Sequence, residues 1–187
     1  MSNPCTDNLS DLDFLNHMVP HHQVAIDMSQ ELINKTSNPI MKHLCRDIIR
    51  KQGYEIWEMN NMLHGLLDTI FHNSSSSRCL KKTKLDVFNP ILSKSKDGDC
   101  NPLFFDPDGH SKHMKHMNIN EELYLNHMIP HHQVAIDMSK RLLLYTNNSY
   151  LMDFCNKLII DQQGEIFYMN NILKNNLWYQ YPSELLN

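Results

Sequence analysis

Residues Leu15–Ser29 return almost unchanged as Leu125–Ser139, at an offset of 110 positions. Within that block only Val19 differs, standing where the second copy has Ile129. The same offset carries Cys45 onto Cys155, Gln52 onto Gln162, Glu55-Ile56 onto Glu165-Ile166 and Met59-Asn60-Asn61 onto Met169-Asn170-Asn171. A chain that contains itself twice must build two like units, or one body from two like halves. A duplicated hairpin that kept only its core would retain the apolar positions. The retention of Asn16, His21 and Gln52 asks for more than packing.

Each copy reads as two helices. In the first, from about residue 11 to 35, Phe14, Leu15, Met18, His22, Ala25, Ser29, Leu32 and Ile33 recur at helical period and define one broad stripe. Pro20 removes one ladder bond and frees the carbonyl of Asn16, so either a kink or a restarted helix is expected there. Ser37, Asn38 and Pro39 mark the turn. In the second helix, from about 39 to 70, Met41, Cys45, Ile48, Ile49, Gln52, Ile56, Met59 and Leu63 form the buried stripe, with Glu55 at its flank. Two amphipathic hairpins in tandem predict an all-α, four-helix bundle. It is expected to be a single domain over 1–187, with repeats at 11–70 and 121–178 joined by a long crossover at 71–120. That crossover carries Ser74-Ser75-Ser76-Ser77 and the basic residues Arg78, Lys81, Lys82 and Lys84, and reads as a solvated linker.

Composition narrows the function. Only 5 glycines in 187 residues favour helices over a turn-rich β fold. A net charge of −4 excludes a nucleic-acid partner held by bulk charge and gives no attraction to an anionic membrane. No apolar run approaches the roughly 20 residues of a membrane-spanning helix. The polar, acidic start lacks a signal-peptide pattern, so the expectation is a cytoplasmic or other non-secreted protein, or a periplasmic one if an export signal has been removed. Five cysteines without a C-x-x-C pair make neither a disulfide framework nor a thiolate zinc site, although Cys79 and Cys100 leave one pairing open.

Twelve histidines and 12 methionines are the excess, and they cluster. His17, His21 and Met28 lie along one edge of the first helix, and Met18 and His22 sit one turn apart nearer the apolar stripe. Imidazole and thioether groups at that spacing can close on one soft metal ion. The second helix adds Gln52, Glu55 and Met59. A buried glutamine needs a partner, for which a histidine across the bundle is the obvious choice. The second copy supplies His127, Met128, His131, His132, Met138, Glu165 and Met169. Ahead of it, His110, His113, Met114, His116 and Met117 place five donors in eight residues. Such a His/Met tract suits Cu(I), Ag(I) or, through imidazole, Cu(II). A lone methionine on an apolar stripe usually packs, and a lone buried histidine as readily bonds in a core as it binds metal. Repetition of the whole set favours metal. Cys45 and Cys155 read as small buried hydrophobes.

Other chemistries fail on spacing. A di-iron carboxylate bundle needs Glu-x-x-His motifs, and none occurs. H-E-x-x-H, a P-loop, a dinucleotide-binding glycine fingerprint and G-x-S-x-G are also absent. The chain is therefore expected not to be an enzyme.

The run Met18 to Met28 with Gln52 to Met59, and its copy Met128 to Met138 with Gln162 to Met169, resembles the M-[IV]-P-H-H-Q-x-A-I-x-M and Q-x-x-E-I-x-x-M signature of the domain-of-unknown-function 305 family. His113 to Met117 falls where that family often carries a Met-rich segment. The resemblance implies a ferritin-like bundle associated with copper, frequently outside the cytoplasm. The expected function is copper or silver binding for sequestration or delivery, Cu(I) favoured, with metal ions as partners, the histidines and methionines above as ligands, and Glu55 and Glu165 either as ligands or orienting a histidine. Two other readings stand beside it. One is a structural or interaction bundle with a buried His/Gln network. The other is a ferritin-like, metal-dependent redox enzyme, against which the missing Glu-x-x-His motifs count.

Overall fold

The computed structural model describes residues 9–72 and 118–177, the side chains of 67–72 excepted. Four helices carry them: α1 (Asp11–Lys35), α2 (Pro39–His72), α3 (Glu121–Leu142) and α4 (Ser149–Lys174). No strand occurs among the described residues. The all-α bundle expected from the repeat is what forms, with helix boundaries within four residues of those read from periodicity.

Each helix starts where a side chain replaces a missing turn of backbone bonding. Ser10 Oγ accepts from the Asp13 amide at the head of α1. Asn38 Oδ1 accepts from the amides of Ile40 and Met41, with Pro39 as the first helical residue, a position that needs no N–H. Asn120 accepts from Leu123, and Asn148 from Tyr150 and Leu151. The two hairpin turns repeat one device, since Thr36 Oγ1 accepts from Asn38 N at 3.0 Å and Thr146 Oγ1 from Asn148 N at 3.1 Å. α1 runs unbroken through Pro20, and α3 through Pro130. The restarted helix considered for this position does not occur.

The core divides into two apolar clusters. One joins Phe14, Leu15 and Met18 of α1 and Met59 of α2 with Val134, Met138 and Leu142 of α3 and Leu151, Cys155 and Leu158 of α4. The other joins Val24, Met28 and Leu32 of α1 and Met41, Cys45 and Ile48 of α2 with Tyr124, Leu125 and Met128 of α3 and Met169 and Ile172 of α4. The start of α1 thus meets the end of α3, and the end of α1 meets the start of α3. These two helices run antiparallel and cross near His21 and His131. Equivalent residues of two halves can meet only on the axis relating them, so a pseudo-two-fold axis passes through this crossing.

That arrangement sets a minimum span for the connection. α2 ends beside the start of α1, whereas α3 begins at the opposite end of the bundle. The chain between them must span the length of α3, whose 22 residues measure roughly 33 Å at helical rise.

Candidate functional site: a buried imidazole–carboxylate layer

Between the two apolar clusters lies a polar layer. His21, His22, Gln52 and Glu55 from the first half and His131, His132, Gln162 and Glu165 from the second are all buried. Helix register puts them there. His21 and His22 follow the prolines by one and two residues on the faces of α1 toward α3 and α2. Gln52 and Glu55 are one turn apart on α2.

On the axis the rings of His21 and His131 stack, with centroids 3.6 Å apart and planes inclined by 22°. On either side a histidine meets a carboxylate. His22 Nε2 lies 2.9 Å from Glu55 Oε2, and His132 Nε2 lies 2.7 Å from Glu165 Oε2. The sequence reading gave the buried glutamine a histidine partner and left the glutamate at the flank. In the structure the glutamates are inside and hold the histidines, the orienting role that the sequence reading had left open for them, and the glutamines do not. Neither amide atom of Gln52 or Gln162 has a hydrogen-bond partner among the described residues. Gln52 lies a full turn from Glu55, and by 2.9 Å contact the carboxylate has already claimed the ring nitrogen.

Lysines from the opposite half complete the layer. Lys51 Nζ donates to Glu165 Oε1 at 2.7 Å, and Lys157 Nζ stands 3.6 Å from Glu55 Oε1. Burial pushes the Glu165 carboxyl upward, but hydrogen bonds and charge from His132 and Lys51 outweigh it and hold it at about 2. For Glu55 burial is likewise outweighed by His22 and Lys157, and the carboxyl lies below its ordinary value. Both carboxylates are therefore ionised at neutral pH. The lysines escaped the sequence reading because they do not repeat. The residue equivalent to Lys51 is Asp161, and the one equivalent to Lys157 is Asp47. A helical wheel that placed Lys51 one turn before Glu55 was the available signal.

The other predicted donors separate from this layer. His17 and His127 are half-buried, one turn before His21 and His131. Met18, Met59 and Met138 lie in one apolar cluster, and Met28, Met128 and Met169 in the other. Burial pushes the Cys45 thiol up to about 12, only partly offset by a hydrogen bond with Tyr124. It also raises Cys155. Both are packed thiols rather than thiolates. His110, His113, Met114, His116, Met117, Cys79 and Cys100 lie outside the described residues. Among the described residues no three His, Cys, Asp or Glu side chains are grouped so as to hold a metal ion. No described helix is long and apolar enough to cross a membrane.

These features define a duplicated α-helical bundle with an internal layer of histidine–carboxylate pairs. Residues 4–64 and 109–173 match the sequence profile of the domain of unknown function DUF305, and the chain belongs to that family. A segment of 55 residues is 47% identical to the uncharacterized protein L153 of Acanthamoeba polyphaga mimivirus. That match covers 29% of this chain and 36% of the relative's own length. Among solved structures, silver-bound CopM is similar over 92% of this chain and 99% of its own, at 25% identity and a TM-score of 0.62. Cu(I)-bound CopM is similar over 91% of this chain and 99% of its own, at 26% identity and a TM-score of 0.63. CopM in the Cu(II)-bound form gives 25% identity and a TM-score of 0.61.

Proposed function

We propose that this protein binds Cu(I) or Ag(I) as cargo, through imidazole and thioether groups, for sequestration or delivery rather than catalysis. The carrying observation is similarity along nearly the whole chain to a protein whose structures hold Cu(I), Cu(II) and silver. The donor chemistry fits. The described histidines and methionines offer nitrogen and sulfur donors that suit soft ions, and Glu55 and Glu165 inside the bundle are occupied by histidine and lysine. In this reading His17 and His127, the half-buried imidazoles, receive the ion at the rim. His21 and His22 and their copies hold it inside, with Met18 and Met138 on one side of the layer and Met28 and Met128 on the other, and the tract His110–Met117 captures or hands it on.

A second reading has its own observation. The His22–Glu55 and His132–Glu165 pairs and the His21–His131 stack form a polar layer that could serve only to set the register of the hairpins.

An anaerobic Cu(I) titration against a chromophoric chelator separates the two. Three proteins are compared: wild type, a variant with His110, His113, Met114, His116 and Met117 replaced, and one with His21, His22, His131 and His132 changed to Ala. Competitive binding lost in the last variant supports a bundle site. Loss only in the tract variant moves the site to the crossover. No competition by wild type removes the metal reading and leaves the structural one.

A further inference from the structure

On the outer face of α4, Asp153, Ile160, Phe167 and Lys174 recur at seven-residue spacing, and all four are exposed. Seven residues fall only about 20° short of two helical turns, so the four make one line nearly parallel to the helix axis. Ile160 is 69% and Phe167 71% exposed, although both are large and apolar. Gly164 lies between them, and a Cβ there would meet nothing within 4 Å. Asp153 and Lys174 end the line with opposite charges, and neither forms an ion pair among the described residues. The duplication does not account for this line. The equivalent residues of α2 are His43, Arg50, Trp57 and His64, which carry neither the apolar pair nor the opposite charges.

The order acid, apolar, apolar, base is complementary to itself when reversed. An antiparallel copy of α4, centred between Gln163 and Gly164, sets Ile160 against the partner's Phe167 and Asp153 against the partner's Lys174. A two-fold axis makes each of these contacts twice. A parallel copy in register would set like charge against like. The bare backbone at Gly164 lets the two helices approach closely at the centre. We propose that the outer face of α4 is a self-association surface whose occupant is α4 of a second copy of this chain, antiparallel and in that register. The line spans roughly 33 Å of a single helix, which is small beside a standard interface, so the dimer is a weak one with a dissociation constant in the roughly micromolar range. Asp153 near the start of α4 and Lys174 in its last turn also suit the helix dipole, but that effect acts on the stability of one chain and not on association.

The test is sedimentation velocity of the metal-free full chain at low salt, over a concentration series that brackets the micromolar range. Wild type should pass reversibly from monomer to dimer. Phe167→Asp should weaken association by at least about 30-fold, the loss of one aromatic anchor. Trp57→Ser, at the equivalent position of α2, should leave it unchanged. Asp153→Lys and Lys174→Asp each oppose like charges twice across the axis, and each should weaken association by roughly 3- to 10-fold. The double exchange restores opposite charges and should return association to near the wild-type level. Circular dichroism identifies any variant that fails to fold, and the double exchange tests the register without removing an apolar side chain. A wild type that stays monomeric overturns the proposal, whether hydroxyl-radical footprinting then finds Phe167 open to solvent or covered by another segment of the chain. A dimer that ignores Phe167→Asp overturns it, and so does a double exchange that associates no better than the single ones.

Discussion

Replacing Glu165 by Gln keeps the shape of the side chain and removes its charge. In the folded protein Glu165 accepts from His132 and from Lys51, each at 2.7 Å, and its carboxyl is held at about 2 against an ordinary 4.5. At about 1.36 kcal/mol per unit, that displacement corresponds to roughly 3 kcal/mol of folding stability carried by the ionised form. The sign follows from the depression. The contribution is complete above the unfolded carboxyl's value and is lost as pH falls from about 4.5 toward 2. Urea unfolding of metal-free wild type and Glu165→Gln, followed from neutrality into acid, should give a gap of roughly 3 kcal/mol at neutral pH. The two stabilities should converge near pH 2, where wild type is protonated too. Glu55→Gln is the internal comparison. Lys157 stands farther off, at 3.6 Å, and its side chain is half exposed, so that gap should be smaller. A gap for Glu165→Gln that stays constant across the acid range would refute the argument. The penalty would then come from lost shape or from a new unpaired amide, not from charge.

Further substitutions probe the rest of the layer and the clusters around it. Tyr124→Phe removes the 2.7 Å bond to Ser29 and the bond with Cys45 while Ser29 still donates to the Ala25 carbonyl, so thermal or urea unfolding should register a loss of about 1–2 kcal/mol. The equivalent position in the other half is already Phe14, so the ring itself should be tolerated. Phe14→Ala empties a fully buried ring site and should cost about 3–5 kcal/mol by the same measurement. Gln52→Met exchanges a buried amide that has no partner among the described residues for an apolar side chain of like length, and should leave the metal-free protein as stable or more stable. A loss above about 1 kcal/mol would show that the amide is satisfied in solution. Trp57→Ser, on the exposed face of α2, should shift stability by less than about 0.5 kcal/mol.

Much of the fold was legible because it rests on local chemistry. Apolar spacing drew the buried stripes of α1 and α2, and Ser37-Asn38-Pro39 marked a real turn, because caps and prolines act on the backbone within a few residues. A helix restart at Pro20 was not decided locally. The missing bond at one residue is small beside the packing of Met18, His22 and Ala25 on either side of it, which keeps the helix continuous.

The site was legible in its membership but not in its pairing. Sequence alone determined that two identical sets of His, Met, Gln and Glu exist at an offset of 110, and that each set occupies one hairpin. It also determined two thiols on matching buried stripes. Only the tertiary structure decided that α1 and α3 run antiparallel and cross at His21 and His131, which turns the two sets toward each other about one axis. It decided that His22 and His132 take glutamate rather than glutamine, and that Lys51 and Lys157 reach across from the opposite halves. The physical reason is range. Helical period and capping are set by residues within about one turn of each other, whereas a buried charge takes its partner from whatever helix lies opposite. The lysine that meets Glu165 is 114 positions away in the chain, and no local pattern contains it.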